Sequence, residues 1–258
     1  MSNYFLNGFA LVEEPVPSPE AVATARDGMD RLRRGEYATG RPPEPSPWNP
    51  GDDPRSLVKI EMPHLADPGI AELVADRTIG EAVAATTRAT WLQVFWVQML
   101  DKPSEDPDVP ARVGWHQDWH YWCEHWEEGS ELLTVWVALT EVDETCGPLT
   151  YVAGSQRWGL VPGGDFFDQG AVRSRLELPE GARWAETPAL LPAGGIAVHD
   201  RLTLHGSGPN ESGALRRSLA LHLRTENSRP TPAGRAGLAR HVDDLAACPV
   251  IHGPRERR

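Results

Sequence analysis

The residues of this chain best suited to chemistry are His116 and Asp118, one position apart across Gln117, and His205 far downstream. On an extended strand, side chains at i and i+2 share a face, so His116 and Asp118 can grip one ion while His205 supplies a third ligand. Two imidazoles and one carboxylate on one side of a metal form a facial triad that suits non-haem Fe(II) and leaves coordination positions open. That donor set is suited to oxygen chemistry. Further along, Arg216 and Ser218 share a face of a strand-like run, where a guanidinium can bind a carboxylate bidentately with a hydroxyl assisting. Lys102, ending another strand, offers a second cation, and the set implies a dicarboxylate co-substrate.

Taken singly, none of these residues is specific. A His-x-Asp arises by chance in about one of two chains of this composition, and a second one is present, His241-Val242-Asp243. It has only His252 after it and no later basic strand, so it reads as a surface feature. His116 and His205 alone would more often be core histidines, Asp118 a turn residue and Arg216 an ion-pair partner; order, spacing and strand context together carry the metal reading. His120 lies on the same alternating face and competes as a ligand. It ranks below the triad, as a substrate or supporting residue, because Asp118 already completes the pair. Two other readings stay open: a catalytically silent metal-binding β module, and a cupin-like metal hydrolase or isomerase.

The elements that must position these side chains are mainly strands. A short strand over 5–12 is followed by a helix that starts at Ser18-Pro19 and runs to about Arg34. Residues 35–53, rich in Pro, Gly and charge, read as a loop that could close over the site. A helical region covers 68–87, where Ile70, Leu73, Val74, Ile79 and Val83 recur at helical spacing. Strands are expected at 91–100, 132–139, 149–152, 189–191, 196–200 and 218–224, separated by Gly and Pro turns, which predicts a mainly β sandwich or jelly roll with flanking helices.

The chain has 258 residues, 40% of them hydrophobic, which permits a substantial core in one domain. That domain divides into helical support over about 18–87, a β core over about 91–225 and a C-terminal extension over 226–258. The 24 Gly and 24 Pro exceed what a helical bundle uses. A net charge of −12 disfavours nucleic acid or an anionic membrane as partner and leaves a small molecule as the easier substrate. Cys123, Cys146 and Cys248 show neither disulfide nor zinc-ribbon spacing, which fits a reducing cytoplasm. The N-terminus lacks the pattern of a secretory signal, and no apolar run approaches the roughly 18 residues of a membrane span.

Several segments resemble the phytanoyl-CoA dioxygenase family of Fe(II)/2-oxoglutarate oxygenases. They are Asp101-Lys102-Pro103, His116-Gln117-Asp118-Trp119-His120-Tyr121, Val135-Trp136-Val137-Ala138-Leu139, Gly147-Pro148-Leu149, Val152-Ala153-Gly154-Ser155, and His205-Gly206-Ser207-Gly208-Pro209-Asn210 leading to Arg216. The likeness spans about 90–225, with a weaker echo at Gly8-Phe9. It implies a double-stranded β-helix of cupin-like type, Fe(II) held by His116, Asp118 and His205, and 2-oxoglutarate anchored on Arg216. Ser207, Lys102, Trp136 and Gln98 would line the co-substrate pocket. The implied reaction consumes O2 and 2-oxoglutarate, releases succinate and CO2, and oxidises a C–H bond of a small molecule, with natural-product tailoring as the expected setting. A carboxylate at 118 argues against halogenation, since related halogenases have Gly or Ala there. Gly194-Gly195 replaces the family's usual Gly-Asp and is expected to alter only a turn. The aromatic-rich segment Trp119 to Trp126, with His120, Trp122, Cys123 and His125, is expected, with Trp115, to wall a substrate pocket or, equally, to pack a core. No basic surface for a coenzyme A phosphate is evident.

Overall fold

Alternation along four long strands sorts the side chains into two cores. The computed structural model describes residues 4–168 and 176–255; the end of the expected C-terminal extension, 256–258, lies outside them. Strand β3 (Leu92–Lys102) turns Val97 and Met99 to one face and Gln98, Leu100 and Lys102 to the other. Its neighbour β10 (Arg216–Thr225) does the same with Leu219, Leu221 and Leu223 against Arg216, Ala220 and His222. In β5 (Leu132–Ala138) and β8 (Ile196–Asp200), Val135, Val137, Ile196 and Val198 join the first face, and Thr134, Trp136, Ala197 and His199 the second.

The aliphatic face packs against helices α2 (Pro19–Arg33), α3 (Pro68–Val74) and α4 (Arg77–Thr87) through Met29, Leu32, Ile70, Leu73, Ile79 and Val83. Each of these helices starts on a side-chain cap: Ser18 accepts from Ala21 N–H, Asp67 from Gly69 and Ile70 N–H, and Asp76 from Thr78 N–H. The expected helix over 68–87 therefore breaks in two, because Asp76 caps a fresh start instead of continuing the first.

The other face looks across at a smaller sheet. The larger sheet runs β1-β8-β5-β10-β3-β11, with β1 (Phe9–Val12) and β11 (Val250–His252) at its ends and β2 (Val58–Glu61) also paired to β3. The smaller runs β4-β9-β6-β7, comprising β4 (Val113–His116), β9 (His205–Ser207), β6 (Leu149–Val152) and β7 (Glu186–Pro188). These pairings are antiparallel, and the two curled sheets form the expected double-stranded β-helix. Between them lies the second core, with Leu100, Val113, Trp136, Leu149, Tyr151 and Ala220.

Several boundaries differ from expectation. Residues Tyr4–Asn7 form a helical turn, α1, so the first strand begins at Phe9. The strand expected at 189–191 lies at 186–188, while Leu191 makes an isolated bridge to Val142. Strands β2, β9 and β11 were not foreseen, β4 stops at His116 where an extended run through Asp118 was expected, and β11 ties the expected C-terminal extension into the larger sheet beside β3. Gly194, at φ +91, turns the chain into β8, as expected of a Gly-Gly pair. The loop 35–53 docks on β2 through a Glu44–Glu61 bridge and the buried Trp48. None of its residues lines either chamber described below.

Candidate active site

His116 ends β4 and pairs in register with His205, the first residue of β9, so strand pairing alone brings these distant imidazoles to a 4.2 Å ring-centroid separation. Asp118 arrives differently from expectation. Its backbone is helical (φ −57, ψ −34) and it caps the short helix α5 (Trp119–Trp122), so the carboxylate reaches the site from a turn and not by strand alternation. Close approach at β4 requires Gly114, where a Cβ would lie 2.1 Å from the Asp165 carbonyl oxygen.

The donor atoms converge. His116 Nε2 and His205 Nε2 lie 3.9 and 3.8 Å from Asp118 Oδ1. One ligand atom from each of the three lies within 4.8 Å of those of the others, all three residues buried. Both Nδ1 atoms are committed to carbonyls, His116 to Gly114 at 2.8 Å and His205 to Thr203 at 2.9 Å, which leaves each Nε2 bare. Asp118 Oδ2 accepts from Thr134 Oγ1 at 2.6 Å and from His199 Nε2 at 3.2 Å, leaving Oδ1 to face the histidines. Tyr151 supports His199 Nδ1 at 3.0 Å, and His222 Nδ1 lies 2.8 Å from Thr134 Oγ1. Such outer partners orient metal ligands.

The electrostatics suit a cation. Burial pushes His116 down and His205 well down, so both rings are neutral bases. Burial opposes ionisation of Asp118, but the hydrogen bond from His199, foremost among the surrounding imidazoles, outweighs it and holds the carboxyl well below its usual range.

Beside this cluster lie two buried cations. Arg216 and Lys102 are register partners on β10 and β3, 3% and 0% exposed. Burial pushes Arg216 down to about 10, and burial with the adjacent Arg216 pushes Lys102 well down. Arg216 donates to Gly147 O and to Ser207 Oγ, while its Nε has no partner. Lys102 Nζ donates to Ser207 Oγ at 2.6 Å and to Gly208 O at 2.5 Å. Among the described residues no carboxylate pairs with either cation. An orphaned guanidinium N–H beside an unneutralised ammonium is the signature of an anion site. The residues thus fit both groups: His116, Asp118 and His205 could hold Fe(II), and Arg216, Lys102 and Ser207 could hold the far carboxylate of 2-oxoglutarate.

Of the remaining candidates, Trp136 lines the same inner cavity, its ring 5.2 Å from the Arg216 guanidinium carbon. Gln98 lines it too but donates to Glu61 at 3.3 Å. Ser218 turns its hydroxyl to Leu100 O at 3.3 Å and lies outside the cavity, so Ser207 is the hydroxyl at Arg216. Trp122 walls an outer chamber of about 330 Å³ that opens from His116 and Asp118. Trp119 and His120 do not line it: Trp119 stacks on the Arg201 guanidinium at 3.9 Å, and His120 is exposed because α5 is helical and removes it from any alternating face. Trp115 packs away from the chamber on Trp184. His241 and Asp243 bond to Glu44 and Arg235, apart from the site. Sequence reasoning missed His199, His222, Thr134, Lys59, Glu61 and Phe166, whereas Tyr121 and His125, which also line the outer chamber, fall in the aromatic-rich segment expected there. Strand parity could have found His222, which shares the Arg216 face of its strand.

A double-stranded β-helix that converges two histidines and a carboxylate beside a buried cationic anchor defines the non-haem Fe(II)/2-oxoglutarate oxygenase class. Over residues 4–218 the sequence matches the family model for phytanoyl-CoA dioxygenase, and the chain belongs to that family. A probable alpha-ketoglutarate-dependent hypophosphite dioxygenase of Stutzerimonas stutzeri is 26% identical over 239 residues, covering 88% of this chain and 78% of that protein. An ectoine dioxygenase of Bordetella bronchiseptica is 27% identical over 230 residues, covering 82% and 70%. Among solved structures, the non-heme alpha-ketoglutarate-dependent epimerase SnoN from nogalamycin biosynthesis superposes with a TM-score of 0.66 at 22% identity, covering 99% of this chain and 90% of that one. No described helix is long and apolar enough to cross a membrane.

Proposed function

We propose that this oxygenase oxidises a C–H bond of a small-molecule substrate in the outer chamber, most simply by hydroxylation, in the tailoring of a natural product. The observation that carries this reading is the joining of the two chambers at His116 and Asp118, which line both the inner cavity of Arg216 and the outer, aromatic-walled space. In that arrangement His116, Asp118 and His205 hold the metal, Thr134 and His199 fix the carboxylate, and Arg216 and Lys102 neutralise the co-substrate. Bound Fe(II) with 2-oxoglutarate supplies the chemistry: one O2 oxidises the co-substrate to succinate and CO2 and delivers its other oxygen atom to the substrate carbon. The chain itself positions: the outer chamber sets one C–H bond toward the ligand cluster, and its aromatic wall keeps water from the reacting centre. A hydrolase or isomerase has no need of the paired cations behind the ligands.

Fe(II), 2-oxoglutarate and O2 are supplied with a panel of small molecules, and succinate formation is followed. A substrate should stimulate succinate release with equal gain of an oxidised product, and Asp118→Ala should abolish both. Product formed without 2-oxoglutarate would overturn the proposal.

A further inference from the structure

One wall of the outer chamber is β2, where Lys59 and Glu61 face inward while Val58 and Ile60 join the helix-side core. Lys59 Nζ lies 3.2 Å from Glu61 Oε1, and both side chains are 12% exposed. Glu61 is also held by Trp96, whose Nε1 donates to Oε2 at 2.6 Å, and by Gln98. The Lys59 ammonium sits 4.4 Å from the centre of the Phe166 ring and 5.3 Å from that of Phe167. Tyr121 and Trp122 add further aromatic surface, and His116 and Asp118 form the floor.

An ammonium and a carboxylate that neutralise each other leave no net charge to compensate a buried ion. An ionic substrate group would be desolvated next to a like charge as well as an unlike one. The pair nevertheless keeps hydrogen-bonding capacity. Lys59 has donors beyond the one aimed at Glu61, and the carboxylate has more lone pairs than Trp96, Gln98 and Lys59 occupy. A hydroxyl both donates and accepts, so two adjacent hydroxyls on a saturated ring match an adjacent donor and acceptor. The C–H face of such a ring suits the aromatic walls. We propose that the outer chamber takes a neutral, polyhydroxylated ring, a sugar or cyclitol moiety, clasped by the Lys59–Glu61 pair with a C–H bond presented to the metal-ligand cluster. This narrows the substrate class of the oxidation proposed above and rests on that reading for the reaction alone.

The test uses the full chain loaded with Ni(II) and 2-oxoglutarate, so that no turnover intervenes. It is titrated with phenyl β-D-glucopyranoside, benzoate and benzylamine, read by tryptophan quenching and calorimetry. The glucoside should bind at least about tenfold more tightly than either ion. Lys59→Met should weaken the glucoside and tighten benzylamine about tenfold, and Glu61→Gln should weaken it and tighten benzoate by a similar factor. An ion that outcompetes the glucoside, no measurable glucoside binding, or variants that leave all affinities unchanged would each overturn the assignment. The wild-type ranking decides the matter even if a variant misfolds. Failure of 2-oxoglutarate to bind the metal-loaded protein, with the glucoside ranking intact, would sink the oxygenase reading and leave this one standing.

Discussion

Thr134→Val probes how the chain holds its metal ligands. The hydroxyl of Thr134 donates to Asp118 Oδ2 at 2.6 Å and lies 2.8 Å from His222 Nδ1, and the residue is 1% exposed. Valine preserves shape and removes only the hydroxyl, so Asp118 Oδ2 retains His199 Nε2 alone, at 3.2 Å, and His222 Nδ1 loses its partner. A buried hydrogen bond to a charged group is worth about 1.5–3 kcal/mol, which corresponds to about 10–150-fold in an equilibrium constant. Losses of outer-partner contacts typically weaken metal affinity about 10–100-fold, so the two routes to the magnitude agree. Fe(II) affinity, measured anaerobically by competition with a chelator of known strength, should therefore fall about 10–100-fold. The 2-oxoglutarate affinity at saturating metal should change little, because Thr134 makes no hydrogen bond to Arg216, Lys102 or Ser207. Wild-type Fe(II) affinity in a folded Thr134→Val protein would refute the role given to this hydroxyl.

Three further outcomes are expected. Lys102→Met should raise the dissociation constant of 2-oxoglutarate about tenfold or more in calorimetry while leaving Fe(II) affinity near wild type; equal loss of both would mean that the lysine supports the whole cavity. Burial pushes His64 down to about 4, so the folded protein rejects a proton that the unfolded chain accepts. The stability owed to the neutral ring is therefore present above about pH 6.5 and is lost as pH falls from there through about 4. Between pH 7 and pH 5 that loss is about 2 kcal/mol, and His64→Gln should remove this part of the acid limb in urea melts; an unchanged limb would contradict the assignment. Gly114→Ala should cost about 1–3 kcal/mol, read by calorimetric melting, because its Cβ would press on backbone carbonyls. It should also weaken Fe(II) binding, since Gly114 positions His116; a variant with wild-type melting and wild-type Fe(II) affinity would contradict both.

What was legible in the sequence followed from apolar content. The runs at 132–138, 149–152 and 196–200 are dense in β-branched and apolar residues and stand out between Gly and Pro turns. Strand β2 was not legible, because Val58-Lys59-Ile60-Glu61 is four residues long, alternates charge with aliphatic side chains and follows a loop full of Pro, Gly and charge. That strand carries the polar pair of the outer chamber, so the substrate side of the site was hidden with it. The pairing of His116 with Asp118 was right for a reason that fails: the strand ends at His116, and a helical turn brings the carboxylate in. The same turn explains why His120 faces solvent. Arg216 and Lys102 were readable as cations at strand ends, but their adjacency depends on the register between β10 and β3, which no local pattern encodes.

The most direct test is an anaerobic titration of the protein with Fe(II) and then 2-oxoglutarate, followed by visible absorption. A weak charge-transfer band should grow to saturation at one Fe(II) per chain. It should be absent in His205→Ala, and in Arg216→Ala it should need about 30-fold or more additional 2-oxoglutarate, as befits loss of a buried charge-paired contact. No band in the wild-type protein, or a band that forms at wild-type 2-oxoglutarate concentrations in Arg216→Ala, would contradict the convergence of metal and keto-diacid at this site.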